Sequence, residues 1–199
     1  MAFALAGHYG RGMKYPNKHS GFTMLELVVV LSILAILLTQ ALPSPDAWMN
    51  DSRLRAAAND LVASMQISRA EAVGRNSAVT LCKANAGGTA CVTSGGWQQG
   101  WIVFEDPDRD ATVDTGEEVL QVRESLNGKI TLYGSTDVED FITFRASGQT
   151  SISSTQAMVF CDERGFGTHA KGLVVSILGR ASVMPAPDTG ETDCLVPGG

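Results

Sequence analysis

The stretch "KHSGFTMLELVVVLSILAILLTQALP", Lys18–Pro43, decides how the rest of the chain is read. Phe22 to Leu42 is 21 residues long and carries one charge, Glu26. As a helix, such a run is long enough to cross about 30 Å of hydrocarbon. Residues 1–21 hold three basic side chains (Arg11, Lys14, Lys18) and no acid. By the positive-inside rule this flank stays cytoplasmic and the C-terminus goes outward. A secretory signal fits poorly, because the apolar core carries Glu26 and Thr39-Gln40-Ala41 is a weak small-residue exit. A plain anchor leaves Glu26 unexplained, since an acid at mid-bilayer costs about 2.5–3.5 kcal/mol or more. An acid in that position implies a partner or a task.

Outside this run the composition is that of a globular domain. Of 199 residues, 44% are apolar and 18% charged, enough for one packed core plus an appendage. Residues 22–199 carry 12 basic against 21 acidic side chains, a net of −9, and a chain that acidic repels polyanions on average.

Pro43-Ser44-Pro45-Asp46 reads as a kink or short break, with Ser44 or Asp46 capping the restart. From Trp48 to about Val73, Leu54, Ala58, Leu61, Val62, Met65 and Ala72 recur at helical spacing. Arg53, Asp60, Gln66 and Arg69 lie opposite them, and Gly74 offers a stop. The expected helix covers about 46–75. Seven short segments rich in Val, Ile, Thr and Phe follow between turn residues: Ala78–Lys83, Trp101–Glu105, Glu118–Arg123, Lys129–Tyr133, Phe141–Arg145, Ala157–Cys161 and Gly172–Leu178. No βαβ rhythm or repeat appears. The expected fold class is α+β: a long N-terminal helix, apolar and then amphipathic, packed against antiparallel sheet.

"SGFTMLELVVVLSILAILL" resembles the class III signal of type IV pilins and pseudopilins. The resemblance implies that a prepilin peptidase cuts after Gly21 and that the new N-terminal residue, Phe22, is methylated. Glu26 then falls at the fifth mature position and Pro43 at the family's helix-kinking proline. The implied role of Glu26 is to neutralise the N-terminal amine of a neighbouring subunit, because a carboxylate costly in lipid becomes favourable beside an ammonium. Four further stretches resemble the GspH/FimT group of minor pilins, in its long, cysteine-bearing FimT/FimU-like form. They are "LVASMQISRAEAVGRNSAVTLCK" (61–83), "GGWQQGWIVFED" (95–106), "ITFRASGQT" (142–150) and "LVVSILGRASV" (173–183), the last read as a final strand.

The division this implies is a leader over 1–21, a transmembrane and filament-core helix over 22–42, and a periplasmic head over 43–199. The leader is long for the family, which leaves its start codon open. The implied partners are other minor pilins, the major pilin, the prepilin peptidase and the inner-membrane assembly platform. The expected function is a minor pilin at or near the tip of a type IV pilus that helps start assembly. A minor pseudopilin H of type II secretion and a DNA-binding minor pilin for natural transformation are the alternatives.

Cys82, Cys91, Cys161 and Cys194 all lie in the part expected to face an oxidising compartment. Three pairings are open. The reading favours Cys82–Cys91, closing a local loop, and Cys161–Cys194, tying the tail to a strand, each worth about 2–4 kcal/mol. No C-x-x-C occurs and His169 is the single histidine after Gly21, which argues against structural zinc. In "DPDRDATVDTGE", Asp106, Asp108, Asp110, Asp114 and Glu117 fall at positions 1, 3, 5, 9 and 12 of a calcium-loop template. Ala111 replaces the glycine at position 6, and the flanks read as strands. Calcium is weighed there against a solvated acidic hairpin, and no cofactor is required.

Some FimT proteins that resemble this chain bind DNA through G-R-x-R. Here Gly179-Arg180-Ala181-Ser182 keeps the first arginine alone, leaving Arg164, Lys171 and Arg180 as a candidate phosphate-touching patch. DNA is not the expected partner. Catalysis is not expected either: a Ser-His-Asp set would need His169 in a Gly-rich turn, and no nucleophile elbow is present.

Overall fold

The computed structural model describes residues 21–41, 45–126, 129–189 and 194. The chain divides into two units, residues 1–43 and 44–199.

In the first unit α1 (Met24–Ala41) is an 18-residue helix, apolar on every side. Thr23 stands just before it and caps it: its Oγ1 accepts the Glu26 N–H at 3.2 Å and its carbonyl accepts the Leu27 N–H at 3.1 Å. Among the described residues no helix is long and apolar enough to cross a membrane. The expected 22–42 helix starts two residues late, and its last residue, with the Pro43 kink and Ser44, lies outside the described residues.

The second unit opens with α2 (Pro45–Arg75). Asp46 lies inside its first turn and so is not the cap. Leu54, Ala57, Ala58, Leu61, Met65 and Ala72 are buried along one face. Buried Ser64 and Ser68 keep their hydroxyls satisfied on carbonyls four residues back, at 3.1 and 2.8 Å. The helix does not stop at Gly74. Asn76 takes the left-handed position (φ 53°), and the Ser77 N–H returns to the Ala72 carbonyl at 3.2 Å. This is the six-to-one bond of a Schellman end, and Asn tolerates the conformation better than most residues.

Among the described residues, eight strands form two antiparallel four-stranded sheets: β1 (Val79–Lys83), β2 (Trp101–Glu105), β3 (Val119–Arg123), β4 (Thr131–Gly134), β5 (Phe141–Phe144), β6 (Gln156–Cys161), β7 (Lys171–Val175) and β8 (Ala181–Pro185). The orders are β3-β2-β1-β5 and β4-β6-β7-β8. α2 packs on strands of both sheets, and its buried face shares one core with Leu81, Val103, Ile142, Phe144, Leu132, Met158, Phe160 and Leu173.

The stretch read as a single strand over 173–183 is a hairpin. β7 ends at Val175, the chain turns through Ser176–Arg180, and β8 returns beside it, pairing Val175 with Ala181. Gly179 sits at φ 73°, and a Cβ there would lie 2.6 Å from the Gly148 carbonyl, so a residue without one is needed. Gly148 (φ 77°) closes the facing β5 turn, and Thr150 joins the sheets by donating its N–H to the Ile177 carbonyl at 2.9 Å.

The W-x-x-G-W stretch is a structural device. Trp97 opens a short 3₁₀ turn and donates Nε1 to the carbonyls of Val138 (3.1 Å) and Glu139 (2.8 Å). Trp101 starts β2 and donates Nε1 to Ser64 Oγ of α2 at 2.8 Å. Both rings are fully buried, so each polar handle has its partner inside the core.

Candidate assembly site

Gly21 and Phe22 lie in exposed, non-helical chain directly before Thr23, and Phe22 is 80% exposed. Glu26 is the third residue of α1, held through its backbone by Thr23, and it makes no ion pair among the described residues. Beyond it, Leu27, Val28, Val29, Val30, Leu31, Ile33, Leu34, Ile36, Leu37 and Leu38 are each between 48% and 59% exposed. A helix with apolar side chains on every face, all left about half exposed among the described residues, suits lipid or the company of other helices. Thr23 escaped the sequence reading, although T-x-x-E ahead of an apolar run is the signature of a capping box.

The disulfides are Cys82–Cys91, with Cα atoms 5.6 Å apart, and Cys161–Cys194, at 5.9 Å. The first closes the hairpin after β1. Sequence reasoning missed the residue beside it: Lys83 is 1% exposed, and its ammonium donates to the carbonyls of Thr93 (3.0 Å) and Gly95 (2.9 Å). It also lies 2.6 Å from Asp140 Oδ1. A buried ammonium with three oxygen partners pins the 84–96 loop from below.

The acidic loop after β2 is closed by its own hydrogen bonds. Asp106, fully buried, accepts from Thr80 Oγ1 (2.6 Å) and from the N–H groups of Arg109 (2.8 Å), Asp110 (3.2 Å) and Ala111 (3.3 Å). Burial raises its pKa above the usual carboxylate value against those bonds. Glu117 is raised as well, by burial first and then by neighbouring Asp106, Asp108 and Asp114. The five acids of the calcium template form two groups, Asp106/Asp108/Glu117 and Asp108/Asp110/Asp114, which share only Asp108. Ala111 adopts φ 58°, the backbone a glycine would take at that position. Within each group the carboxylate oxygens lie within 4.8 Å of one another, so the template's acids are gathered as two sets rather than one, and Asp106 belongs to the first while accepting the loop's own N–H groups. At the base of the loop, Arg75 reaches Glu71 and Glu118 at 2.8 Å and Glu105 at 3.4 Å, locking the end of α2 to β2 and β3.

The three basic residues considered for DNA do not make one patch. Arg164 is taken up by Asp162 and Asp51, both at 2.7 Å. Lys171 starts β7, whereas Arg180 follows its far end at the β7–β8 turn. Four residues of extended strand alone separate those ends by about 13 Å. His169 stands in the turn before β7.

An exposed, capped N-terminal helix with one acid, ahead of a head in which two antiparallel sheets cover a second helix, defines the pilin and pseudopilin class. The chain belongs to the family described as type II transport protein GspH, which matches residues 57–179, and the prokaryotic N-terminal methylation motif matches residues 16–39. That motif marks a prepilin-type, membrane-anchored protein. Among solved structures, the type IV minor pilin FimU of Pseudomonas aeruginosa strain PAO1 is 20% identical over 72% of this chain and 96% of its own, with a TM-score of 0.53. The minor pseudopilin EpsH of the Vibrio cholerae type II secretion system is 7% identical over 72% of this chain and 99% of its own, at 0.47. The FimU likeness is one of fold. Comparison with curated protein sequences finds no match.

Proposed function

We propose that the chain is a minor pilin of a type IV pilus, incorporated at or near the filament tip, where it helps start assembly. It acts as a structural subunit, held in the inner membrane by a single pass with its leader cytoplasmic and its C-terminus periplasmic, until extraction into the filament. The observation that carries this reading is α1, whose large apolar side chains from Leu27 to Leu38 are 48–59% exposed among the described residues and whose sole acid stands in the first turn, four residues from the Phe22 amine that cleavage at Gly21 would create. Packing among neighbouring α1 helices removes those side chains from lipid or water. Glu26 then rewards the register that brings it beside another subunit's N-terminal ammonium. Other minor pilins and the major pilin are the partners, met through this helix, and the prepilin peptidase and assembly platform handle the chain before docking. The two disulfides of the head favour the pilus over type II secretion, whose pseudopilin H usually lacks this cysteine framework. This function requires no cofactor, and calcium at the Asp106–Glu117 loop is compatible with it.

The test is surface pilus abundance in a deletion strain complemented with the wild-type chain or with Glu26→Ala. Scarce pili restored by the wild type and not by Glu26→Ala are expected. Normal piliation in the deletion strain overturns the priming role.

A further inference from the structure

The first turns of α2 expose an apolar pair that the head does not use. Trp48 is 70% exposed and Met49 42%, against complete burial of Trp97 and Trp101. Val73, Val122 and Leu178 of the head are also more than half exposed, but Trp48 is the most exposed of its large apolar side chains and has Met49 beside it. Higher on the same side, Ser52 and Arg55 follow Trp48 at i+4 and i+7, and Arg53 follows Met49 at i+4, all exposed. Neither Arg53 nor Arg55 makes an ion pair among the described residues. The neighbouring acid, Asp51, is neutralised by Arg164 at 2.7 Å, which leaves Asp46 as the one uncompensated acid of these turns. Residues 22–199 carry a net charge of −9, and Arg53 borders clefts that also hold Asp60, Glu124, Asp162 and Glu163, so what distinguishes these two arginines is their place on the helix turns just beyond an exposed indole.

The place of this patch selects its partner. Trp48 comes seven residues after the last residue of α1 and three into α2, which puts it about 4.5 Å along α2 from its start. Indole rings concentrate at the membrane–water interface, where the ring meets the acyl boundary and its N–H meets water and headgroups. Helical side chains lean toward the helix N-terminus, so Arg53 and Arg55 slope back toward the end of α2 that carries Trp48. Their long stems let the guanidinium groups reach phosphates while the backbone stays above the headgroups.

We infer that the first turns of α2 form an interfacial anchor: Trp48 and Met49 enter the headgroup layer of an anionic bilayer, and Arg53 and Arg55 bind its lipid phosphates. The inference rests on the membrane-held state proposed above. The anchor seats the head on the bilayer before extraction, and its contacts break as the subunit rises into the filament.

The placement of the tryptophans makes the test selective. The mature full chain is reconstituted into vesicles of phosphatidylethanolamine and phosphatidylglycerol whose acyl chains are brominated near the headgroup end. Two of the three tryptophans are sealed in the core, so the contact quencher reports on Trp48. Quenching with a blue-shifted emission is expected, abolished in Trp48→Phe and weakened in Arg53→Gln/Arg55→Gln only when phosphatidylglycerol is present. If the chain inserts but Trp48 is quenched by aqueous acrylamide and not by brominated lipid, the anchor is refuted and the function proposed above stands. If the chain fails to partition into vesicles at all, both readings fall. Lipid quenching indifferent to phosphatidylglycerol and to both arginines removes the phosphate contact.

Discussion

The two helices are alike in backbone and opposite in what their side chains do. α1 exposes every large apolar residue from Leu27 to Leu38, while α2 buries Leu54, Ala57, Ala58, Leu61, Met65 and Ala72 against both sheets. α2 is therefore stabilised by the head's core, while α1 keeps its apolar side chains half exposed among the described residues. Helical hydrogen bonds alone barely stabilise an isolated segment of this length in water, and β-branched Val28, Val29 and Val30 do not help. The contrast teaches that the head carries its own core while α1 leaves its apolar side chains half exposed, so the proposed assembly role of α1 and the folding of the head should answer to different substitutions.

The largest expected effect tests that division directly. Leu61→Ala removes a fully buried side chain, and the head loses about 2–5 kcal/mol in chemical denaturation. Leu31→Ala, half exposed in α1, leaves the same denaturation midpoint unmoved. Equal losses from the two would end the comparison.

Next comes the disulfide that fastens the tail. Replacing Cys161 and Cys194 together by Ala opens a crosslink spanning 33 residues and costs about 2–4 kcal/mol by loop-closure entropy. Thermal melts of the head with and without the pair measure it. A loss well below that range would mean that the covalent tie does little for the fold.

Trp101→Phe keeps most of the buried ring and deletes the indole N–H that binds Ser64 of α2. Because Ser64 retains its own bond to the Asp60 carbonyl, the expected loss is about 1 kcal/mol. Hydrogen exchange along α2 should speed up around Ser64; an unchanged exchange pattern would show that the joint does not hold the helix.

The smallest effect concerns pH. The Arg164 guanidinium holds the Asp162 carboxyl below its ordinary value, so the unfolded chain binds that proton first as pH falls. Stability from this group is present above the unfolded pKa and is lost as pH drops toward the lower folded one. Asp106, raised by burial, works in the opposite sense: its contribution is present at low pH and lost as pH rises through its folded value. Asp162→Asn should therefore flatten the acid side of the profile, seen as a shallower fall of melting temperature between about pH 4 and pH 2. A profile as steep as the wild type's would place the acid-sensitive group elsewhere.

Much of the head was legible because period and punctuation agree. The heptad-like spacing from Leu54 to Ala72 located α2, and alternating Val, Ile and Phe runs located seven strands to within a residue or two at most ends. β8 was hidden because "SILGRASV" continues the apolar pattern of β7, and only the approach of Gly148 to Gly179 shows that the chain must turn there. Gly74 looked like a stop, but the helix end falls where Asn76 can take positive φ and Ser77 can reach Ala72. The basic patch dissolved because Asp51 and Asp162, 111 residues apart in sequence, meet on Arg164.

From order and spacing alone the chain declares an acid-bearing apolar helix, an amphipathic helix after it, and a run of strands with four cysteines. These are local patterns, set by which residues suit a period of 3.6 or of 2 and by where a turn is cheapest. Only the tertiary structure decided which distant groups share a charge or a donor: Lys83 under the 84–96 loop, Asp106 inside its own turn, Trp101 on Ser64. It also decided that Trp48, alone among the three tryptophans, faces outward. Such facts depend on which surfaces close over which, and no periodicity in the sequence encodes the partner across that gap.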